Sequence, residues 1–114
     1  MTTFEIGRQA EAVAANFLQS KGCTILDRNW RTRWCEIDLI ARRNSCIFLC
    51  EVKYRRHSLQ GAGLDYITPK KLQRMGFAAE LWVARHNWTG DYQLVALEVS
   101  GVRFRITAAI KLLD

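Results

Sequence analysis

The sequence predicts a mixed α/β sandwich, two helices around a central sheet of about five strands in the order αβββαββ. Three observations carry this. Apolar residues recur at helical spacing in two segments, apolar runs of strand length fill five others, and turn residues separate them. A length of 114 residues suits one core, so a single domain over 1–114 is expected. A 49% hydrophobic and 25% charged composition is ordinary for a soluble globular chain. No apolar run approaches the roughly 20 residues of a membrane span. Met1-Thr2-Thr3-Phe4-Glu5 is not a basic-then-apolar leader, so no membrane association and a cytoplasmic location are expected.

The first helix is expected over Phe4–Lys21. Ile6, Ala10, Val13, Ala14 and Phe17 form its apolar stripe, Leu18 lies on the flank and Gly22 marks the stop. Glu11 falls about 20° from Leu18 at 100° per residue, on the edge of the stripe. Gly7 costs helix stability, which predicts a close approach at that point. Strands follow over Cys23–Asn29, Trp34–Arg42 and Cys46–Tyr54, the last two joined through Arg43-Asn44-Ser45. Asn tolerates positive φ, so a two-residue Asn44-Ser45 turn fits. That register sets Asp38 across from Glu51 and Glu36 across from Lys53; a longer turn would shift it. Alternation keeps Glu51 and Lys53 on one face with either turn.

His57–Ile67, with Gly61 and Gly63, is expected to be a loop that is mobile without a ligand. Thr68-Pro69 supplies an N-cap and a first-turn proline for the second helix. Leu72, Met75, Ala79, Trp82 and His86 are its expected buried face, while Lys70, Lys71 and Arg74 are exposed. Asn87–Gly90 ends it. Tyr92–Val99 and Val102–Ile106 are expected as strands around Ser100-Gly101, and Ala108–Leu113 as a terminal helical turn.

Charge is concentrated in the middle of the chain. Between Arg28 and Arg74 stand eleven basic and four acidic residues, against six and seven elsewhere. A basic field around a small acidic cluster favours a polyanion as partner. The bland alternative is a solvated basic face. Cys23, Cys35, Cys46 and Cys50 sit among apolar strand residues and read as free thiols. Cys46 and Cys50 are about 13 Å apart along a strand, too far to share one zinc.

Asp38 and Glu51-Val52-Lys53 on neighbouring strands suit phosphodiester hydrolysis. Asp38 and Glu51 are the metal ligands this pattern offers for Mg²⁺ or Mn²⁺, one or two ions, with the Val52 carbonyl as a third donor. Lys53 is placed to orient or deprotonate a water and to balance developing charge. Glu11 is placed to orient a metal-bound water or to hold a second ion. Arg42, Arg43, Arg55, Arg56, Lys70, Lys71 and Arg74 are candidate phosphate contacts. Trp30 and Trp34 flank Arg31 and Arg33, a pattern that serves either base stacking or the core.

Gly7-x-x-x-Glu11, Glu36-Ile37-Asp38-Leu39-Ile40-Ala41 and Glu51-Val52-Lys53-x-Arg55 together resemble the YraN-like family of small bacterial proteins. That family looks like a branch of the PD-(D/E)xK, restriction-endonuclease-like superfamily, similar to Holliday-junction resolvases. The resemblance covers nearly the whole chain, Arg28-Asn29 and the basic second helix included. It implies metal ligands at Asp38 and Glu51, a catalytic lysine at Lys53 and a helical acid at Glu11. It further implies a DNA endonuclease acting on branched or single-stranded DNA, and a C2 homodimer. Three positions depart from the pattern: Ile37 stands in place of Pro, Cys35 in place of Gly and Tyr54 in place of Thr. The alternatives are a non-catalytic nucleic-acid-binding module within a larger complex, and a structural role with Asp38, Glu51 and Lys53 as a salt-bridge cluster. The last is disfavoured because buried charges without partners are expensive.

Overall fold

A computed structural model describes residues 1–57 and 65–112 of the chain. Its elements are α1 (Thr3–Ser20), β1 (Thr24–Arg31), β2 (Glu36–Arg43), β3 (Cys46–Arg55), α2 (Pro69–Arg85), β4 (Asp91–Ser100) and β5 (Arg105–Lys111). Thr2 caps α1: its hydroxyl accepts from the Glu5 N–H while the Glu5 carboxylate accepts from the Thr2 N–H, each at 3.1 Å. Thr68 caps α2 by a single bond, its hydroxyl accepting from the Lys71 N–H, with Pro69 at the first helical position.

The five strands form one sheet in chain order. β1–β2, β2–β3 and β4–β5 are antiparallel, and β3–β4 is parallel because α2 carries the chain across between them. The expected three-layer sandwich is therefore present. On one face Ala10, Ala14, Ala15 and Leu18 of α1 pack on Leu39, Ala41, Cys50, Leu97 and Val99. On the other, Ala78, Ala79 and Trp82 of α2 pack on Ile40, Ile47, Leu49 and Leu94. Alanines on both helices let their backbones lie close to the sheet. No helix among the described residues is long and apolar enough to cross a membrane. All four cysteines are free thiols, with Cys23 and Cys50 buried.

Four expectations are corrected. Ala108 to Lys111 belongs to β5 instead of a helical turn, because an antiparallel ladder to β4 captures it from Val99↔Ile106 to Val95↔Lys111. The strand expected at Val102 begins only at Arg105. The chain first reverses between Gly101 (φ +81°) and Phe104 (φ +52°), and the Phe104 N–H bonds to the Gly101 carbonyl. His86 is not on the buried face of α2; it is the exposed C-cap, followed by Asn87 at φ +51°. Gly7 meets no close neighbour, since a Cβ built there finds no atom within 4 Å. Most of the loop expected at His57–Ile67 lies outside the described residues.

Candidate functional site

The β2–β3 hairpin turns at Asn44, whose φ of +56° suits the two-residue loop. Its register runs from Arg43↔Cys46 to Leu39↔Cys50 as expected, and there the ladder stops. Asp38 and Glu51 occupy the next position without pairing as strand partners. The Asp38 Oδ2 accepts from the Val52 N–H at 2.8 Å, so a side chain takes the place of the missing backbone bond. The other flank of β2 is irregular as well. Asn29 lies between the Arg28↔Leu39 and Trp30↔Ile37 pairs with φ +52°. Asn is among the few residues that adopt this conformation at low cost. A carboxylate is thus held where two strands fork, anchored by one backbone donor.

Burial raises the Asp38 pKa to about 7, and the carboxylates of Glu51, Glu11 and Glu36 add to the effect, with the Val52 N–H opposing it. The structure therefore brings Glu11, Asp38 and Glu51 into one electrostatic neighbourhood, with four acids in all. Among the described residues no three carboxylate, imidazole or thiol groups converge as a ready-made cage. A magnesium ion does not require one: it usually takes one or two carboxylates and completes its shell with water and phosphate.

Two surface grooves reach these acids. One, of about 410 Å³, runs along the α2 side past Trp34, Glu51, Lys71 and Arg74. The other, of about 460 Å³, runs along the α1 side past Gly7, Arg8, Glu11 and Asp38. Arg31 and Glu36 line both, and their exposed ion pair (3.3 Å) marks where the grooves adjoin. The pairing expected between Glu36 and Lys53 is absent, because Glu36 turns to β1.

Lys71 Nζ lies 2.6 Å from Glu51 Oε1, so an ammonium from α2 already occupies one side of that carboxylate. Lys53 is exposed, with its Nζ 5.9 Å from the centre of the Tyr66 ring. Tyr66 stands out only in three dimensions. Its buried hydroxyl has no hydrogen-bond partner among the described residues. Burial pushes its pKa up to about 12, with Glu51, Glu98 and Asp38 adding and Arg55 opposing. No local sequence signal singles it out. Arg31 was likewise missed as a lining residue, although its place between Trp30 and Trp34 pointed to it.

The seven candidate phosphate contacts separate. Lys71 and Arg74 line the α2-side groove, Lys70 is exposed on the same turn of helix, and Arg56 is exposed just past β3. Arg42 and Arg43 flank the hairpin turn, four or more residues along β2 from Asp38, on the order of 13 Å away. Arg43 donates to the Lys21 carbonyl at 3.1 Å. Arg55 is turned inward: its Nε is 2.8 Å from the buried Glu98 carboxylate, and it also pairs with Asp65. Of the two flanking tryptophans, Trp30 packs on the α2-side core, whereas Trp34 is 62% exposed with Arg33 over its ring.

Residues 10–108 match the family described as "Uncharacterised protein family UPF0102". A UPF0102 protein of Kineococcus radiotolerans is 44% identical over 81 residues, 71% of this chain and 66% of the relative. One from Acidothermus cellulolyticus is 43% identical, and the match spans 61% of it. The chain thus covers slightly under two thirds of these two relatives. A UPF0102 protein of Cytophaga hutchinsonii is 35% identical over 101 residues, 89% of each chain.

Proposed function

We propose that this chain, which belongs to the UPF0102 family, is a Mg²⁺- or Mn²⁺-dependent nuclease that hydrolyses phosphodiesters of branched or single-stranded DNA. One observation carries the reading: the β2–β3 fork gathers Asp38 and Glu51, with Glu11 nearby, at adjoining grooves edged by Lys71 and Arg74. The acids of this cluster offer only oxygen donors, which fits a hard divalent cation, and Lys71 Nζ stands beside Glu51 alone. Asp38 and Glu51 would hold the ion, with the Val52 carbonyl within reach of the same fork. Bound there, it would neutralise phosphate charge and lower the pKa of a water.

The remaining steps belong to side chains. Lys53 orients the attacking water or stabilises charge on the phosphate oxygens, and Glu11 accepts a hydrogen bond from that water on the α1 side. Lys71, beside Glu51, is placed to turn its ammonium to the phosphate. Arg74 and Lys70 position the backbone without reading sequence. Cutting both strands of a symmetric junction calls for two such sites, as a C2 dimer provides.

The test is incubation of pure protein with duplex, single-stranded and four-way-junction DNA, with Mg²⁺, Mn²⁺ or EDTA. Cutting is expected only with a divalent ion, with Lys53→Ala and Asp38→Asn each slower by about 10²-fold or more. Cutting that survives both substitutions would sink the assignment. Salt-dependent DNA binding without cutting of any substrate would identify a binding module instead.

A further inference from the structure

At the hairpin end of the sheet, away from the acids, lies a second cavity of about 270 Å³ lined by Leu26, Asp27, Arg42, Trp82, His86 and Trp88. We propose that it binds one nucleotide unit, seating a nucleobase against the aromatic side chains and its phosphate on Arg42. The inference goes beyond the metal-site reading and does not depend on it.

Two stacked pairs build the cavity. The His86 ring lies on Trp82 with centroids 4.1 Å apart and 15° between planes, and the Arg42 guanidinium sits 4.8 Å from the Trp88 ring centre. Each partner is held from behind. His86 Nδ1 is 2.8 Å from the Trp82 carbonyl, which fixes the proton on Nδ1 and leaves Nε2 as an acceptor in the neutral ring. The Trp88 indole N–H donates to the Asp91 carbonyl at 2.9 Å. Arg42 uses its Nε on the Asn44 carbonyl at 2.9 Å, so its terminal nitrogens are the ones placed for an anion. The shift in register between Ile25 and Asp27 turns Leu26 outward, 45% exposed, to form the rim.

Trp82 underlies His86 as a rigid floor. Trp82 is only 4% exposed, yet its Nε1 has no hydrogen-bond partner among the described residues. That nitrogen is itself buried, so a ligand meets Trp82 through the His86 ring stacked on it. A nucleobase offers an amino group or ring N–H for the Asp27 carboxylate, whose Oδ1 also accepts from the Arg28 N–H, and π-faces for the aromatic walls. Its phosphate meets the guanidinium. The volume is just under the lower bound of roughly 300 Å³ for drug-sized sites, which suits one heterocycle with its sugar.

The source is either a free mononucleotide or a base splayed from a single strand. Nuclear magnetic resonance of the 114-residue chain in EDTA separates them, reading the indole N–H resonances of its four tryptophans. Titrants are AMP, UMP, adenosine, inorganic phosphate and a short single-stranded oligonucleotide. The Trp82 and Trp88 resonances are expected to move with AMP or UMP. Arg42→Ala should weaken AMP at least tenfold and adenosine little. Movement with the oligonucleotide alone assigns the pocket to a strand. If the two resonances stay still with every titrant, or move as far with phosphate alone, the proposal is overturned. Arg42 and His86 are exposed, so Arg42→Ala and His86→Ala keep the test valid if Trp82→Phe fails to fold. Asp38→Asn should bind AMP as the unaltered chain does, so a failed nuclease assay leaves this result standing.

Discussion

Asp38 is crowded by its neighbours and held by one backbone donor, and both conditions can be measured in EDTA. Its folded pKa, about 7, lies above the ordinary carboxylate value of 3.8. Below that ordinary value both folded and unfolded chains hold the proton and the site costs nothing. Between pH 4 and 7 the unfolded chain releases the proton first, so stability falls as pH rises, and the penalty is complete above about pH 7. Asp38→Asn keeps an acceptor for the Val52 N–H but removes the charge. Thermal melts should show this substitution raising the Tm of the metal-free protein at pH 8 and leaving it nearly unchanged at pH 4. A lower Tm at pH 8 would refute the like-charge crowding. Lys71 is the complementary case. Its ammonium competes for Glu51 with any added cation, so Lys71→Ala should tighten Mg²⁺ binding by calorimetry while weakening DNA binding. Looser Mg²⁺ binding would show that Lys71 supports the site instead of occupying it.

At the scale of elements, α1 carries a glycine that packing does not require. Gly7 lines the groove beside Glu11 and Asp38, and a Cβ there meets nothing. Gly7→Ala should therefore stabilise the fold by about 0.5–1 kcal/mol in urea melts. Because the methyl group narrows the groove, cleavage should slow in the same variant. β3 and β4 are joined by a buried pair: Glu98 takes Arg55 at 2.8 Å and the Thr107 hydroxyl at 2.9 Å. Arg55→Ala leaves that carboxylate uncompensated and should cost about 3–5 kcal/mol, whereas Arg74→Ala on the exposed helix should stay within about 0.5 kcal/mol. Equal effects on stability would place Arg55 outside. These elements were unequally legible in sequence. Periodicity showed α1 and β3, Thr68-Pro69 showed the start of α2, and Asn44 set the hairpin register, because each signal is local. The fork at Asp38 was hidden, since no local residue marks where the β2–β3 ladder ends after Leu39↔Cys50. Arg55 read as a surface cation because Glu98 reaches it only through the parallel crossover. β5 read partly as helix because Ala108 and Ala109 favour helix until β4 offers a ladder.

The whole molecule is polarised, and its partner should feel that through phosphates. The formal charge is +6, and the excess lies in the segment that carries β2, β3 and the start of α2. Folding separates most of this excess. Arg31, Lys71 and Arg74 line the groove that reaches the acids, Lys70 is exposed on the same turn of α2, Arg42 and Arg43 lie at the hairpin end, and Arg55 is internal. Each phosphate neutralised on a single strand adds about −0.7 to the slope of log K against log salt. Three to five contacts at the groove predict a slope of about −2 to −3.5 for single-stranded DNA in EDTA. Arg74→Ala should make the slope shallower by roughly one contact and weaken binding alike for all sequences. Arg55→Ala should leave it unchanged at a temperature where the variant is folded, because that guanidinium is committed to Glu98. Fluorescence anisotropy at several salt concentrations decides the matter. A slope near zero would remove nucleic acid from consideration, and a slope reduced by Arg55→Ala but not by Arg74→Ala would move the interface away from the α2-side groove.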